Sequence, residues 1–282
     1  MPAPAGPTGP APDSDAGSAA GSTDAVLTGL MARAAAVAQV LVADPGDPVV
    51  DPDDRHHLAR VLRLRPGEPV IATDGRGSWS SCRYRGDGDR ALEPDGPTMF
   101  EPPLRPALAV AFAPAKGDRP EWVVQKLTEL GIDRIVPLAT ARSVVRWDRD
   151  RDRDRADRAV ARLGRVAREA AGQSRRVWLP EVTGVRTLAT LADDLTRPAD
   201  RGSGGPAGGE GLALAQLGGD RPTAATTVVA VGPEGGWAPE ELAIGTATVG
   251  LGPSVLRAET AALAAGAILA GLRAGTVGVE DA

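Results

Sequence analysis

At 282 residues, 42% hydrophobic but only 3% aromatic, the chain is long enough for two domains and a sizeable core. Its net charge of −5 argues at first against nucleic acid, yet the charge is uneven: residues 1–54 hold eight Asp against Arg33 alone, 55–90 carry eight Arg against four acids, and 142–176 carry twelve Arg against six. Lys116 and Lys126 are the only lysines, so the basic patches are arginine, the better residue for phosphate and base contacts, and patches outweigh the sum when the partner is RNA. Cys82 stands alone, which excludes an internal disulfide and a Cys-rich zinc site. The chain does not open on a basic stretch followed by an apolar one, and its longest uncharged apolar run, about Thr260–Leu272, is too short for a bilayer. A cytoplasmic protein is expected, with no membrane and no metal.

Residues 1–24 are Pro, Gly, Ala, Ser and Asp with almost nothing to bury, which predicts disorder; the extension as a whole is taken as 1–37, with Met31 an alternative start. From Val40 onward short apolar runs alternate with Asp-Pro, Pro-Gly and Asp-Gly breaks: Val49-Val50, Val61–Leu64, Pro69–Ala72 and Trp79–Tyr84. That spacing predicts a small β-barrel over 38–103, with one helical turn over Asp54–Arg63. His56 and His57 have no third ligand nearby, so no metal site is read there; one is expected to point into the barrel and the other outward. Arg60 and Arg63, three apart, are expected on one side of the turn.

Strands and helices then alternate through 104–282, which predicts a mostly parallel sheet. The expected strands are Ala107–Ala113, Ile135–Leu138, Leu212–Ala215, Thr227–Val231 and Ala247–Leu251. The expected helices are Glu121–Leu130, stopped by Gly131, then Asp150–Gln173, Val185–Leu195, Pro239–Ile244 and a final one through Ala274. The Gly-rich stretch 197–211 reads as a flexible insertion. The Arg-Asp alternation from Arg146 to Arg158 reads as charged surface, and Lys126 and Glu129 as a pair along a helix. The last helix is Ala-rich on every side and is expected to be buried all round.

Two segments carry the chemistry. Val228–Val231 leads into Gly232-Pro-Glu-Gly-Gly236, and Ala247–Leu251 into Gly252-Pro-Ser-Val-Leu-Arg-Ala-Glu-Thr-Ala261. Two Gly-Pro loops at the ends of neighbouring strands form the walls of one cofactor site, because glycine admits a ligand close to backbone. Arg257, Glu259 and Thr260 stand at the mouth of the last helix, where charges are costly unless paired or used. Their plain reading is a salt bridge with Glu capping the helix. Likewise, Glu234 is open to a role holding its own loop together by accepting backbone N–H groups.

This pair of motifs resembles the RsmE family of SPOUT-class methyltransferases, which methylate N3 of a uridine in 16S ribosomal RNA, and the resemblance runs through most of 55–275. It implies a PUA-like RNA-binding barrel followed by a SPOUT domain with a deep C-terminal trefoil knot, and a homodimer whose pockets a second subunit completes. S-adenosylmethionine would be held by Leu214, Val231, Gly232, Pro233, Glu234, Gly235, Gly236, Leu251, Gly252, Val255, Leu256, Thr260 and Ala261. Glu259 would be the base and Arg257 the stabiliser of developing charge. Contacts to 16S rRNA, within the assembled small subunit, are expected from His57, Arg60, Arg63, Arg142 and Arg176, with Glu169 and Gln173 at the pocket edge. The chain departs from the family pattern at Ser254, where a basic residue is common, and at Gly172 and Arg175, where an acid and a glycine are usual. A ribose 2′-oxygen or another base as target, and a non-catalytic RNA-binding role, remain as alternatives.

Overall fold

The computed structural model describes residues 29, 31, 33–86, 88, 90–143, 153–196 and 211–278. The extension up to residue 28, most of the Arg-Asp alternation and the insertion at 197–210 lie outside the described residues. The N-terminal part is a five-stranded sheet of β1 (Ala38–Leu41), β2 (Pro69–Thr73), β3 (Ser78–Tyr84), β4 (Leu92–Pro94) and β5 (Met99–Phe100). β1 runs parallel to β2, and the other pairings are antiparallel. Residues 33–37, assigned above to the extension, pack on this sheet instead. Arg33 is buried, paired with Glu101 and stacked 5.3 Å over the Trp79 ring, as a desolvated guanidinium requires.

The apolar run Val61–Leu64 is not a strand. Asp51 caps a helical turn, α1 (Pro52–His56), by accepting the Asp54 N–H at 2.8 Å, and the chain continues as a π-helical turn through Val61. Leu58 is fully buried against Val40, Val70 and Tyr84 while Val61 and Leu62 stay exposed, so the helical period and not the run of apolar letters decides the structure. It is Leu58, not a histidine, that fills the core here; His56 and His57 are both exposed. Arg63 has φ 54° and has left the helix, so it does not share a face with Arg60.

The C-terminal part holds β6 (Ala109–Phe112), α2 (Arg119–Glu129), β7 (Arg134–Pro137), α3 (Arg153–Gln173), β8 (Glu181–Val182), α4 (Leu188–Thr196), β9 (Leu212–Asp220), β10 (Val228–Val231), α5 (Pro239–Leu242), β11 (Ala247–Val249) and α6 (Ala258–Ala274). Its six-stranded sheet runs β11-β9-β10-β6-β7-β8, parallel throughout. β6 and β10 are buried on both faces, the reason Ala-Val-Ala-Phe and Val-Val-Ala-Val read as continuous apolar runs. α2, α3 and α6 cover one face through Val123, Leu127, Leu163 and Leu269; α4 covers the other through Leu188, Leu191 and Leu195. α6 is not buried all round. Ala258, Ala262, Ala265, Gly266 and Leu269 face the sheet and α2, while Leu263, Ile268 and Leu272 remain half-buried. Among the described residues, no helix is long and apolar enough to cross a membrane.

The two parts meet along the segment that follows α3. Gly77 N–H donates to Val177 O and Leu179 N–H to Gly75 O, each at 2.9 Å. Gln39 Nε2 donates to Arg176 O and Trp178 Nε1 to Glu101 O, each at 2.8 Å.

Cys82 sits at the centre of β3, fully buried, and burial pushes its thiol up to about 11. At pH 8 the folded protein therefore holds almost no thiolate. Iodoacetamide, followed by intact mass, is expected to leave Cys82 unlabelled in the native protein and to label it in guanidinium chloride; fast native labelling would show that β3 opens locally.

Candidate active site

The carboxyl ends of β9, β10 and β11 converge on one cleft of about 350 Å³, the size of a small-molecule pocket. β9 makes the cleft possible. Thr248 of β11 pairs with Leu214, but the next residue, Val249, pairs with Asp220, so the residues from Ala215 to Gly218 are left out of the ladder. Ala215, Gln216 and Leu217 form one wall; Val231, Gly232, Pro233, Glu234 and Gly236 form the second; Leu251, Gly252, Ser254, Val255 and Leu256 form the third, with Ala258 and Ala261 of α6 behind.

The cleft is lined by backbone for steric reasons. A Cβ on Gly232 would lie 3.1 Å from the Trp237 ring, which itself lines the cleft and donates Nε1–H to Ala215 O at 3.1 Å. Where β9 rejoins β11, a Cβ on Gly219 would lie 2.6 Å from the Val249 carbonyl carbon, so the two backbones touch. The loop after β10 is closed by Gly236 N–H on Pro233 O at 2.8 Å and held from outside by Arg142 Nη1–H on Gly235 O at 2.9 Å. Glu241 holds it from below. Its buried carboxylate accepts Ala238 N–H at 2.9 Å, the N3 half of a capping box, and Ala141 N–H at 2.8 Å.

Most of the sequence-derived cofactor residues thus share one cleft, with three exceptions. Leu214 is fully buried beneath it, packed toward Gly245; Gly235 faces Arg142; Thr260 is exposed on the helix and does not line it. Ala215–Leu217, Trp237, Leu242 and Ala258 line the cleft without having been singled out, and Ser254, noted above only as a departure from the family pattern, lines it too. The Ala-Pro-Glu-Glu order contained the signal for Glu241, an acid three residues past a helix cap. Ala215–Leu217 had none, because their place depends on a shift in pairing with a strand thirty-odd residues on.

At the helix mouth, Arg257 is the cap residue, exposed, with no polar side-chain partner among the described residues. Glu259 pairs not with Arg257 but with Arg119 of α2, at 3.5 Å; its other oxygen is buried and unpartnered, and its side chain is 13% exposed. Glu234 is exposed and holds no backbone N–H groups of its loop. Arg176 is not free for RNA. Its guanidinium donates to Thr128 O at 3.0 Å, Ile132 O at 2.8 Å and Asp133 Oδ1 at 3.3 Å, capping the end of α2. Burial lowers its pKa and Asp133 opposes that shift. Arg142 is exposed but committed to Gly235, whereas His57, Arg60 and Arg63 are exposed on the N-terminal part. Lys126 and Glu129 pair at 2.8 Å, as their spacing suggested.

Glu241→Ala would remove two charge-assisted bonds, a loss of about 3–6 kcal/mol, or roughly 6–15 °C in Tm for a chain of this size. Glu240→Ala next to it, on the exposed side, is the control and is expected to leave Tm unchanged within about a degree. Differential scanning calorimetry of both variants distinguishes a carboxylate that staples two loops from one that is merely near them.

Known proteins match both parts. A sequence model of the RNA methyltransferase domain matches residues 102–270, and one of the RNA methyltransferase PUA domain matches 50–93. The ribosomal RNA small subunit methyltransferase E of Mycobacterium tuberculosis is 36% identical over 228 residues, covering 77% of this chain and 83% of that protein. The same-named protein of Neisseria gonorrhoeae, solved bound to S-adenosyl methionine, superposes with a TM-score of 0.63 at 26% identity over 83% of this chain and 97% of that one. A probable rRNA-methyltransferase from Porphyromonas gingivalis does so with a TM-score of 0.63 at 27% identity, over 86% and 100%. With both of its parts matched in order, and a relative 36% identical over 77% of its length, the chain belongs to the ribosomal RNA small subunit methyltransferase E family.

Proposed function

We propose that this protein methylates N3 of a uridine in 16S rRNA of the small ribosomal subunit, using S-adenosylmethionine, and that it does so as a cytoplasmic homodimer. The observation that carries the reading is the backbone-lined cleft at the ends of β9, β10 and β11, with Arg257 and Glu259 on the helix that closes it. The cleft fits such a cofactor. It offers apolar walls from Leu217, Leu242, Leu251 and Leu256 for an adenine, and unobstructed backbone at Gly236 and Gly252 for polar edges. The loops Gly232–Gly236 and Leu251–Leu256 would hold it. The bound cofactor supplies a methyl group already activated by its sulfonium.

What remains for the protein is to align N3, exclude water and accommodate the charge and proton that leave the uracil. Arg257, exposed and without a partner among the described residues, is assigned to the developing negative charge. Glu259 is assigned the N3 proton: one oxygen is oriented by Arg119 and the other is unpartnered. Arg60 and Arg63 supply exposed cationic side chains for the RNA backbone, and His57 an exposed imidazole beside them. Apolar Val255, 85% exposed, and Leu217, 59% exposed, stand at the rim of the cleft where a second subunit would cover them. The bare backbone contact between Gly219 and Val249–Gly250 suits the chain crossing of a trefoil knot, where no side chain fits.

The atom methylated is testable directly. Primer extension on small-subunit rRNA from cells with and without the gene is expected to show a gene-dependent stop at one uridine at any nucleotide concentration, with a base-methylated nucleoside by mass. A gene-dependent ribose methylation that stalls extension only at low nucleotide would assign the methyl to a 2′-oxygen instead.

Glu259→Gln is expected to cut the single-turnover rate about a hundredfold or more at saturating cofactor. A rate unchanged across pH would leave Glu259 only the task of anchoring α6 to α2.

A further inference from the structure

Arg175 is one of two described residues other than glycine with a left-handed backbone, at φ 58°, directly after the last turn of α3. At that place a helix ends most easily on glycine, because a side chain crowds the following carbonyl. An arginine there needs compensation, and the guanidinium supplies it. Nη1–H donates back to Gly172 O at 2.7 Å, and Nη2–H donates across the domain boundary to Ala36 O at 3.0 Å and Val37 O at 2.9 Å. Those carbonyls lead directly into β1, whose Gln39 returns a bond to Arg176 O at 2.8 Å. One residue thus ties the end of the long helix to the first strand of the RNA-binding part.

The tie lies on the wall of a second cleft, about 490 Å³, between the two parts. Arg175, Val37 and Gln39 line it on one side, and His57 of the helical turn and Arg168 of α3 approach it from others. Its width is therefore set where Arg175 pins β1 to α3. We propose that Arg175 is a positioning residue for RNA: by clamping Ala36 and Val37 to the C-terminal turn of α3, it fixes the separation between the helical turn that carries His57 and Arg60 and the methyltransferase domain. It touches neither cofactor nor target base. This role rests on the rRNA methyltransferase reading above for its substrate, but the clamp itself does not.

The test uses Arg175→Gly and Arg175→Asn in the full-length protein. Both residues accept the left-handed backbone and neither reaches the carbonyls, so the fold is expected to survive. Hydrogen exchange of peptides spanning residues 36–42 is expected to quicken at least tenfold in both variants, with the core strands β6 and β10 unchanged. In methylation assays on small-subunit RNA, KM for RNA is expected to rise about three- to tenfold, while kcat and cofactor Kd stay within twofold. Unchanged exchange at 36–42 overturns the clamp. Faster exchange with an unchanged RNA KM overturns the positioning role. A parallel fall in kcat and cofactor affinity makes Arg175 a general structural residue and also overturns it. If the wild-type protein methylates no small-subunit RNA, the functional reading fails, and the exchange experiment still decides whether Arg175 clamps the domains.

Discussion

Both oxygens of Glu241 are taken by backbone N–H groups from two separate loops, Ala238 after β10 and Ala141 after β7. The loop after β10 lines the cleft largely with glycine and proline, which have little side chain to hold its shape, so its rigidity has to come from behind. Bonds to a charged acceptor contribute about 1.5–3 kcal/mol each, against about 1 kcal/mol for a neutral pair, and a buried carboxylate left half-satisfied would be destabilising. That asymmetry makes the two loops interdependent: neither moves without exposing or orphaning the same charge. Arg142, on the outer surface, repeats the connection with one exposed bond to Gly235 and adds less, since solvent competes for it.

The sheet explains why the cleft is where it is. Parallel strands deliver their chain ends to the same edge, and pairing normally keeps neighbouring strands in step to that edge. Here β9 leaves the ladder after Leu214 and rejoins β11 at Asp220, and Ala215–Leu217 between them line the cleft. The return needs two backbones in contact at Gly219 and Gly250, so glycine is as necessary where the strands rejoin as at the cleft. Trp237 ties the arrangement together, its ring against Gly232 and its N–H on Ala215, one side chain bridging two of the three walls.

Much of this was readable in the sequence, and the failures share one cause. Parallel strands buried on both faces show themselves as apolar runs, and the two Gly-Pro loops carry their own spacing. What depended on a partner far along the chain did not show. Arg176 sits in a basic stretch yet serves carbonyls 44 and 48 positions away. Glu259 met Arg119 of another helix and not its near neighbour Arg257. Val61–Leu64 was counted among the barrel's apolar runs, whereas the helical turn expected over Asp54–Arg63 is there and runs through Val61, with Leu58 as the residue it buries.

The arginines carry the same lesson to function. Counting charge over 142–176 gives a strongly basic stretch, but the count treats a guanidinium as free whenever no acid adjoins it in sequence. Arg175 and Arg176 donate to five backbone carbonyls between them, and Arg162 pairs with Glu121 at 3.0 Å. Arg273, in the last helix, does likewise with Gly131 O at 2.8 Å and Asp133 at 2.5 Å. A planar fork of five donors suits this work as well as it suits phosphate, and lysine, with its point charge, does not. A chain with almost no lysine therefore spends part of its positive charge on tying helix ends and domains together. The positive charge left exposed is narrower than composition implies: on the N-terminal part Arg60 and Arg63 are exposed, and among the described residues no carbonyl accepts from either guanidinium.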